Sequence, residues 1–260
     1  MINCLSIRRY KNINMDEEYI TRIANGLFDE AYMAKRYLLT MEQMRSCIAK
    51  YRDEMSHSVA FYNNAYSAMM YATTMALARF YDNNSDSIGW KKLCDAFAQY
   101  VNQVPSNDTY KIEIKLCDVH LFSENKEFYD RLQDEKQKCV WNNIQTCGIM
   151  MKMKPKECIY YYKKKKKSLN KHLSNLSKQR NKAFAHNDEV QCFDYEDIDS
   201  TFPLDVDAMT ALADYALEFS RFVIAYITGT VKMIPGKNDN DLENTLLLVK
   251  RAMSSSEILH

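Results

Sequence analysis

The chain has 260 residues with 35 Lys and Arg against 34 Asp and Glu, so its total charge singles out no partner. Only 5 Gly and 4 Pro stand against 15 Met and 18 Tyr, too few turn formers for a sandwich, a barrel or a glycine-loop nucleotide fold. The length suits one large domain with a substantial core.

Apolar periodicity is helical nearly throughout. It predicts a first helical region over 16–52 with one break. A second follows over 55–81, where Phe61, Ala65, Ala68, Ala72, Met75 and Arg79 share one stripe. SDSIGWKKLCDAF reads as a Ser-capped entry into a short helix that stops before Pro105. NKEFYDRLQDEKQKC reads as the next helix, with Glu127 and Arg131 at i,i+4. A long helix is expected over 156–186. FDYEDIDSTFP then reads as a loop, and a helix from Asp205 to Thr228 turns Met209, Leu212, Ala213, Ala216, Val223 and Ile227 inward. IPGKNDNDLEN ends that helix and starts a short last one. Pro235 and Gly236 give the one convincing linker signal. The expected organisation is therefore one α-helical domain over 1–234 with a C-terminal helical extension over 235–260.

Eight cysteines are scattered without a CxxC, so neither a metal site nor a cofactor is expected. MINCLSIRRYKNINMDEEY has no apolar run of signal-peptide length. Asp214, Glu218 and Arg221 interrupt the most apolar helix, so no membrane span is expected. The simplest reading is a reduced cytoplasmic protein.

Charge is uneven where the total is balanced. Residues 152–182 hold twelve Lys and Arg and a single acid, Glu157, while 187–220 hold ten acids and neither Lys nor Arg. Such a basic rod and acidic return can pair with each other, pair with a second subunit, offer one face to a polyanion, or simply be solvated. In YYYKKKKK, residues 160–167, the interleaved aromatics and cations suit base stacking as well as they suit plain helix surface.

The sharpest constellation lies in LSKQRNKAFAHNDE. On a helical wheel Arg180 falls in line with Leu169, Leu173, Leu176 and Ala183, whereas Lys171, Lys178 and Lys182 lie opposite. An arginine on a packed face needs a partner, and Asp82 of the second helix is one candidate, which makes a structural ion pair a competing explanation. His186 sits about 120° around from Arg180, beside His172 and Gln179. There it also interacts favourably with the C-terminal dipole of the helix. His57 and His120 have no partner at useful spacing and read as surface or core residues. The abundant Met and Tyr read as core filling.

Arg180-Asn181, four residues and His186 resemble the motif of the HEPN superfamily (higher eukaryotes and prokaryotes nucleotide-binding domains). AFYNNAYSAMMYATTMALARFYD, SIGWKKLCDAF and LSNLSKQRNKAFAHND together resemble its U-type abortive-infection branch, which belongs to bacterial phage defence. The likeness spans roughly residues 55–228 and leaves the KKKKK insert and the chain ends unaccounted for. It implies an all-α HEPN-like bundle with a long motif-bearing helix. It also implies a homodimer with facing motifs and, for many members, a metal-independent endoribonuclease of toxin type.

On that reading His186 is the acid/base, Arg180 the phosphate clamp and Asn181 the orienting residue, with RNA as substrate. Lys163, Lys164, Lys165, Lys166, Lys167, Lys178 and Lys182 are the candidate RNA contacts, and Arg79 and Asp82 the supporting ion-pair residues. An antitoxin or other defence-system partner fits the same reading. Asn187 and Asp188 stand where some members carry a Tyr, so silencing by nucleotidylation is not implied. Two other functions fit the same residues: a non-catalytic helical module that binds nucleic acid or nucleotide, and a dimeric scaffold.

Overall fold

The longest apolar repeat becomes the longest helix. In the computed structural model, which describes residues 14–84, 86–104, 108–141, 148–181, 204–236 and 241–257, α1 runs unbroken over Asn14–Lys50. It buries Ile20, Ala24, Leu27, Ala31, Leu38 and Met41, spaced three, four or seven residues apart. The chain then turns at Tyr51 into α2 (Arg52–Ser56) and α3 (Val59–Phe80).

All the buried residues of α3 lie between Thr73 and Phe80. The stripe read from sequence runs instead along its outer flank, with Phe61 67% exposed and Arg79 exposed. Only the C-terminal third of α3 is clamped between its neighbours, so periodicity along the whole helix does not mark the core face.

α4 (Trp90–Gln103) follows, and then β1 (Tyr110–Lys115), a 3₁₀ turn at Leu116–Phe122 and α5 (Lys126–Trp141). β2 (Gly148–Met153) pairs antiparallel with β1, Ile112 opposite Met151 and Ile114 opposite Ile149. This ribbon was not foreseen, although its inward residues Ile112 and Ile114 alternate with Lys111, Glu113 and Lys115 at the period of a strand. Arg131 reaches away from Glu127: its Nη1 lies 2.5 Å from Glu157 and its Nη2 donates to Lys152 O at 2.9 Å.

The basic segment is broken. α6 (Pro155–Ser168) and α7 (Asn170–Gln179) are separated at Leu169, whose N–H bonds back to Lys166 O at 3.0 Å and whose φ/ψ of −89°/5° is not helical. Pro155 occupies the first turn, where its missing N–H costs nothing.

α8 (Val206–Thr228) is the hub. Thirteen of its 23 residues are buried, more than one stripe can hold, so it is covered on several sides by α1, α3, α6 and α7. Met209, Leu212, Ala213, Ala216 and Val223 are buried as expected and Ile227 partly so. Asp205 caps it by accepting from Ala208 N–H at 2.7 Å. Gly229 closes it at φ 69°, a left-handed conformation that costs a glycine little. α9 (Asp241–Glu257) docks on the end of α1, with Leu246 packed among Cys47, Tyr51 and Met55 and Glu243 within 2.6 Å of Lys50 Nζ.

The fold is thus all-α, with nine α-helices and one two-stranded ribbon among the described residues. None of its described helices is long and apolar enough to cross a membrane.

Candidate active site and nucleic-acid interface

The site begins with a close approach. The α3–α4 connection folds back so that Gly89, not a serine, precedes α4, with no side-chain cap. A Cβ on Gly89 would lie 2.6 Å from Asp82 O and 3.1 Å from Phe80 O. Only glycine lets this backbone lie against the carbonyl end of α3. Asp82 is therefore held in place: its Oδ1 accepts from Asn84 N–H at 3.0 Å in a local turn, and its Oδ2 points at α7.

A second brace comes from aromatic side chains. Trp90 Nε1 donates to Tyr215 OH at 2.8 Å, and Tyr215 OH donates to Tyr162 O at 2.8 Å. Tyr81 OH donates to Leu212 O at 2.7 Å. Burial pushes the Tyr81, Tyr162 and Tyr215 hydroxyls well above their usual pKa, so all three stay neutral donors. With Phe219 stacked on Tyr215 and tilted against Trp90, these rings tie α4, α6 and α8 together under the site.

Arg180 continues from α7 and, with Asn181, widens the helix into a π-type turn. Such turns occur often at functional positions. Arg180 Nε donates to Asn181 Oδ1 at 2.9 Å, and Nη1 lies 3.9 Å from Asp82 Oδ2. The Arg180 side chain keeps 32% of its exposure, so the pair with Asp82 is a long, half-solvated one. Arg180 and Asp82 line a cavity of about 240 Å³ together with Tyr81, Asn83, Asn84, Lys166 and Ser177.

Arg79 does not join them. It grips Glu30 through Nε at 3.0 and 3.1 Å and lines a neighbouring cavity of about 520 Å³, in which Asp82 is the shared wall. His186 and Lys182 lie outside the described residues, as do the FDYEDIDSTFP loop and the acidic stretch before Leu204.

Five consecutive lysines cannot share one helix face, because each is turned about 100° from the last. Lys163 and Lys167 are exposed. Lys164 pairs with Glu124, and Lys165 lies 2.6 Å from Glu218 with only 11% of its side chain exposed. Lys166 turns inward over the face of Trp90, 4.5 Å from its ring centroid. Lys178, beside the motif, is exposed.

His120 is exposed with Nδ1 2.6 Å from Cys117 O, and His57 is also exposed. Among the described residues no group of three or more His, Cys, Asp or Glu is placed to hold a metal ion.

A bundle of this architecture, with an Arg-Asn step directly after α7, is a HEPN-type helical domain. Within that class the family model described as AbiU2 matches residues 17–244, and the chain belongs to the AbiU2 family of abortive-infection HEPN proteins. The match reaches from the first turns of α1 into α9, well beyond the 55–228 stretch legible by eye. No curated protein and no solved structure matches the chain.

Proposed function

We propose that the protein is a metal-independent endoribonuclease of abortive-infection type, with Arg180, Asn181 and His186 as its reacting groups. The observation that carries this reading is the state of Arg180. Asn181 anchors its Nε, the residue lines a cavity, and among the described residues the one carboxylate within 4 Å of its Nη groups is Asp82, at 3.9 Å. A buried structural arginine would be enclosed by close carboxylates or carbonyls. Arg180 instead meets no close carboxylate among the described residues, and its planar fork suits two oxygens of a phosphate.

Cleavage without a metal needs a base for the 2′-OH, a cation for the charge that gathers on phosphorus, and an acid for the leaving 5′-oxygen. A histidine titrates in the right range to move both protons. Arg180 stabilises the phosphorane-like charge. One chain supplies one His186, and a two-fold dimer would bring a second motif across the axis, so that one histidine acts as base and the other as acid.

The test is incubation of purified protein with total RNA in EDTA. Cleavage is expected to persist, to leave 2′,3′-cyclic phosphate ends, and to vanish in His186→Ala. Excess His186→Ala protein, once its subunits have exchanged with wild type, is expected to depress wild-type activity. Dependence on a divalent metal, or full activity in His186→Ala, overturns the proposal.

A further inference from the structure

Lys166 stands apart from its four neighbours. Its ammonium is partly buried over Trp90, and among the described residues no carboxylate is placed to pair with it. Lys164 and Lys165, just before it, have Glu124 and Glu218. Burial accordingly pulls its pKa below the usual lysine value. A cation left in such a place loses hydration and gains back only the attraction of the ring. An anion arriving beside it offsets that loss.

Lys166 lines the cavity that Arg180 lines. The two residues stand on either side of the break at Leu169, Lys166 on α6 and Arg180 at the end of α7, and both line one wall of the cavity with Leu173 and Ser177 between them in sequence. The break at Leu169 leaves both on that wall. Trp90 is itself tied to α8 by its bond to Tyr215, which fixes the orientation of the ring under Lys166.

We propose that Lys166 is a second phosphate-contact residue, so that one nucleic-acid strand runs along the α6–α7 face with one phosphate at Arg180 and another at Lys166. An ammonium resting on a ring face has three N–H donors, more than the ring can take up, so a donor remains for a phosphate oxygen. The polar edge opposite, Asn83 and Asn84, meets the strand between those two phosphates. The assignment rests on the nucleic-acid reading of Arg180 but not on catalysis. It also divides the lysine run, giving Lys166 a direct contact and the exposed Lys163 and Lys167 a long-range field only.

The experiment is a salt titration of binding to a labelled 2′-O-methyl oligoribonucleotide, which lacks the free 2′-OH that cleavage needs. Lys166→Gln is expected to weaken binding about tenfold and to lower the salt slope by about 0.7, one single-strand phosphate contact. Lys166→Arg should keep most of the affinity. Lys167→Gln should have a smaller effect, and Lys136→Gln on α5, which lines no part of the cavity, none.

Melting temperatures of all four variants check that each is folded, and Lys166→Met replaces the glutamine variant if that one is not. Equal effects of Lys166→Gln and Lys167→Gln overturn the assignment, and so does wild-type protein that binds no oligonucleotide. Binding with the expected slopes but no RNA cleavage in EDTA removes the nuclease reading and leaves Lys166 standing.

Discussion

Replacing Arg180 with alanine separates a phosphate clamp from a structural ion pair, because the two roles predict opposite ratios of activity to stability. The Arg180–Asp82 contact is 3.9 Å long, with side chains 32% and 31% exposed. Half-solvated pairs of this kind are worth about 0.2–1 kcal/mol. Loss of the packed arginine stem adds about 1 kcal/mol. The total of about 2 kcal/mol lowers the melting temperature by about 4–8 °C in a chain of this size. A clamp that acts on transition-state charge costs far more in rate, about 10²–10³-fold at saturating RNA.

Scanning fluorimetry and RNA cleavage in EDTA on the same preparation give both numbers. Asp82→Asn is the companion, since its amide oxygen can still accept from Asn84 N–H while the negative charge is gone. It should leave cleavage intact or faster, because Arg180 then faces no competing anion. A melting loss well above about 10 °C in Arg180→Ala, with the folded fraction still cleaving RNA, refutes the clamp. Loss of activity in Asp82→Asn alongside unchanged melting would also count against it, by making the carboxylate a reacting group.

Two further outcomes follow from the packing beneath the site. Gly89→Ala should destabilise the protein by about 1–3 kcal/mol, as its Cβ would sit 2.6 Å from Asp82 O; a melting temperature equal to wild type contradicts the close approach. Burial pushes the Cys94 thiol up to about 11 and Cys158 up to about 12, from an ordinary value of 9.0. Both thiols therefore keep their protons in the folded state, and their stabilising contribution is complete below 9.0 and lost as pH climbs through the folded values. Alkylation at mildly alkaline pH, read by mass spectrometry, should modify exposed Cys117 and spare Cys94 and Cys158 until urea unfolds the chain. Labelling of Cys158 at the rate of Cys117 contradicts its burial.

Local signals were legible where one helix made all its contacts through one pattern. The α8 residues Met209, Leu212, Ala213, Ala216 and Val223 repeat at helical spacing and are buried at that spacing, and Asp205 caps the first turn as its residue type suggests. Signals failed where a distant segment decided the outcome. Lys111, Glu113 and Lys115 alternate with Ile112 and Ile114, but a six-residue strand is stable only with β2, which begins more than thirty residues later. Gly89 rather than Ser87 precedes α4 because the α3 carbonyls leave no room for a side chain, a constraint absent from local sequence. Arg131 prefers Glu157, 26 residues away, to Glu127 one turn behind it, since the former is fixed by its own bond to Lys154 N–H.

The basic run shows how the site itself was half visible. Read as one continuous helix, the segment would place Lys163 to Lys167 about 20 Å from Arg180 along the axis, and on that measure alone they are remote guides for RNA. Axial distance, however, ignores azimuth. Lys166 lines the Arg180 cavity, whereas Lys164 and Lys165 are turned toward Glu124 and Glu218. Charge density marked the segment, and angular position then selects the member that shares the Arg180 cavity. Trp90 supplies the remaining reason, which is tertiary: a ring anchored on α8 turns one lysine of five into a fixed cation instead of a mobile one. A strand bound along that wall would meet two cations at a set separation, and the register of its scissile bond would follow from that separation, not from the lysine run as a whole.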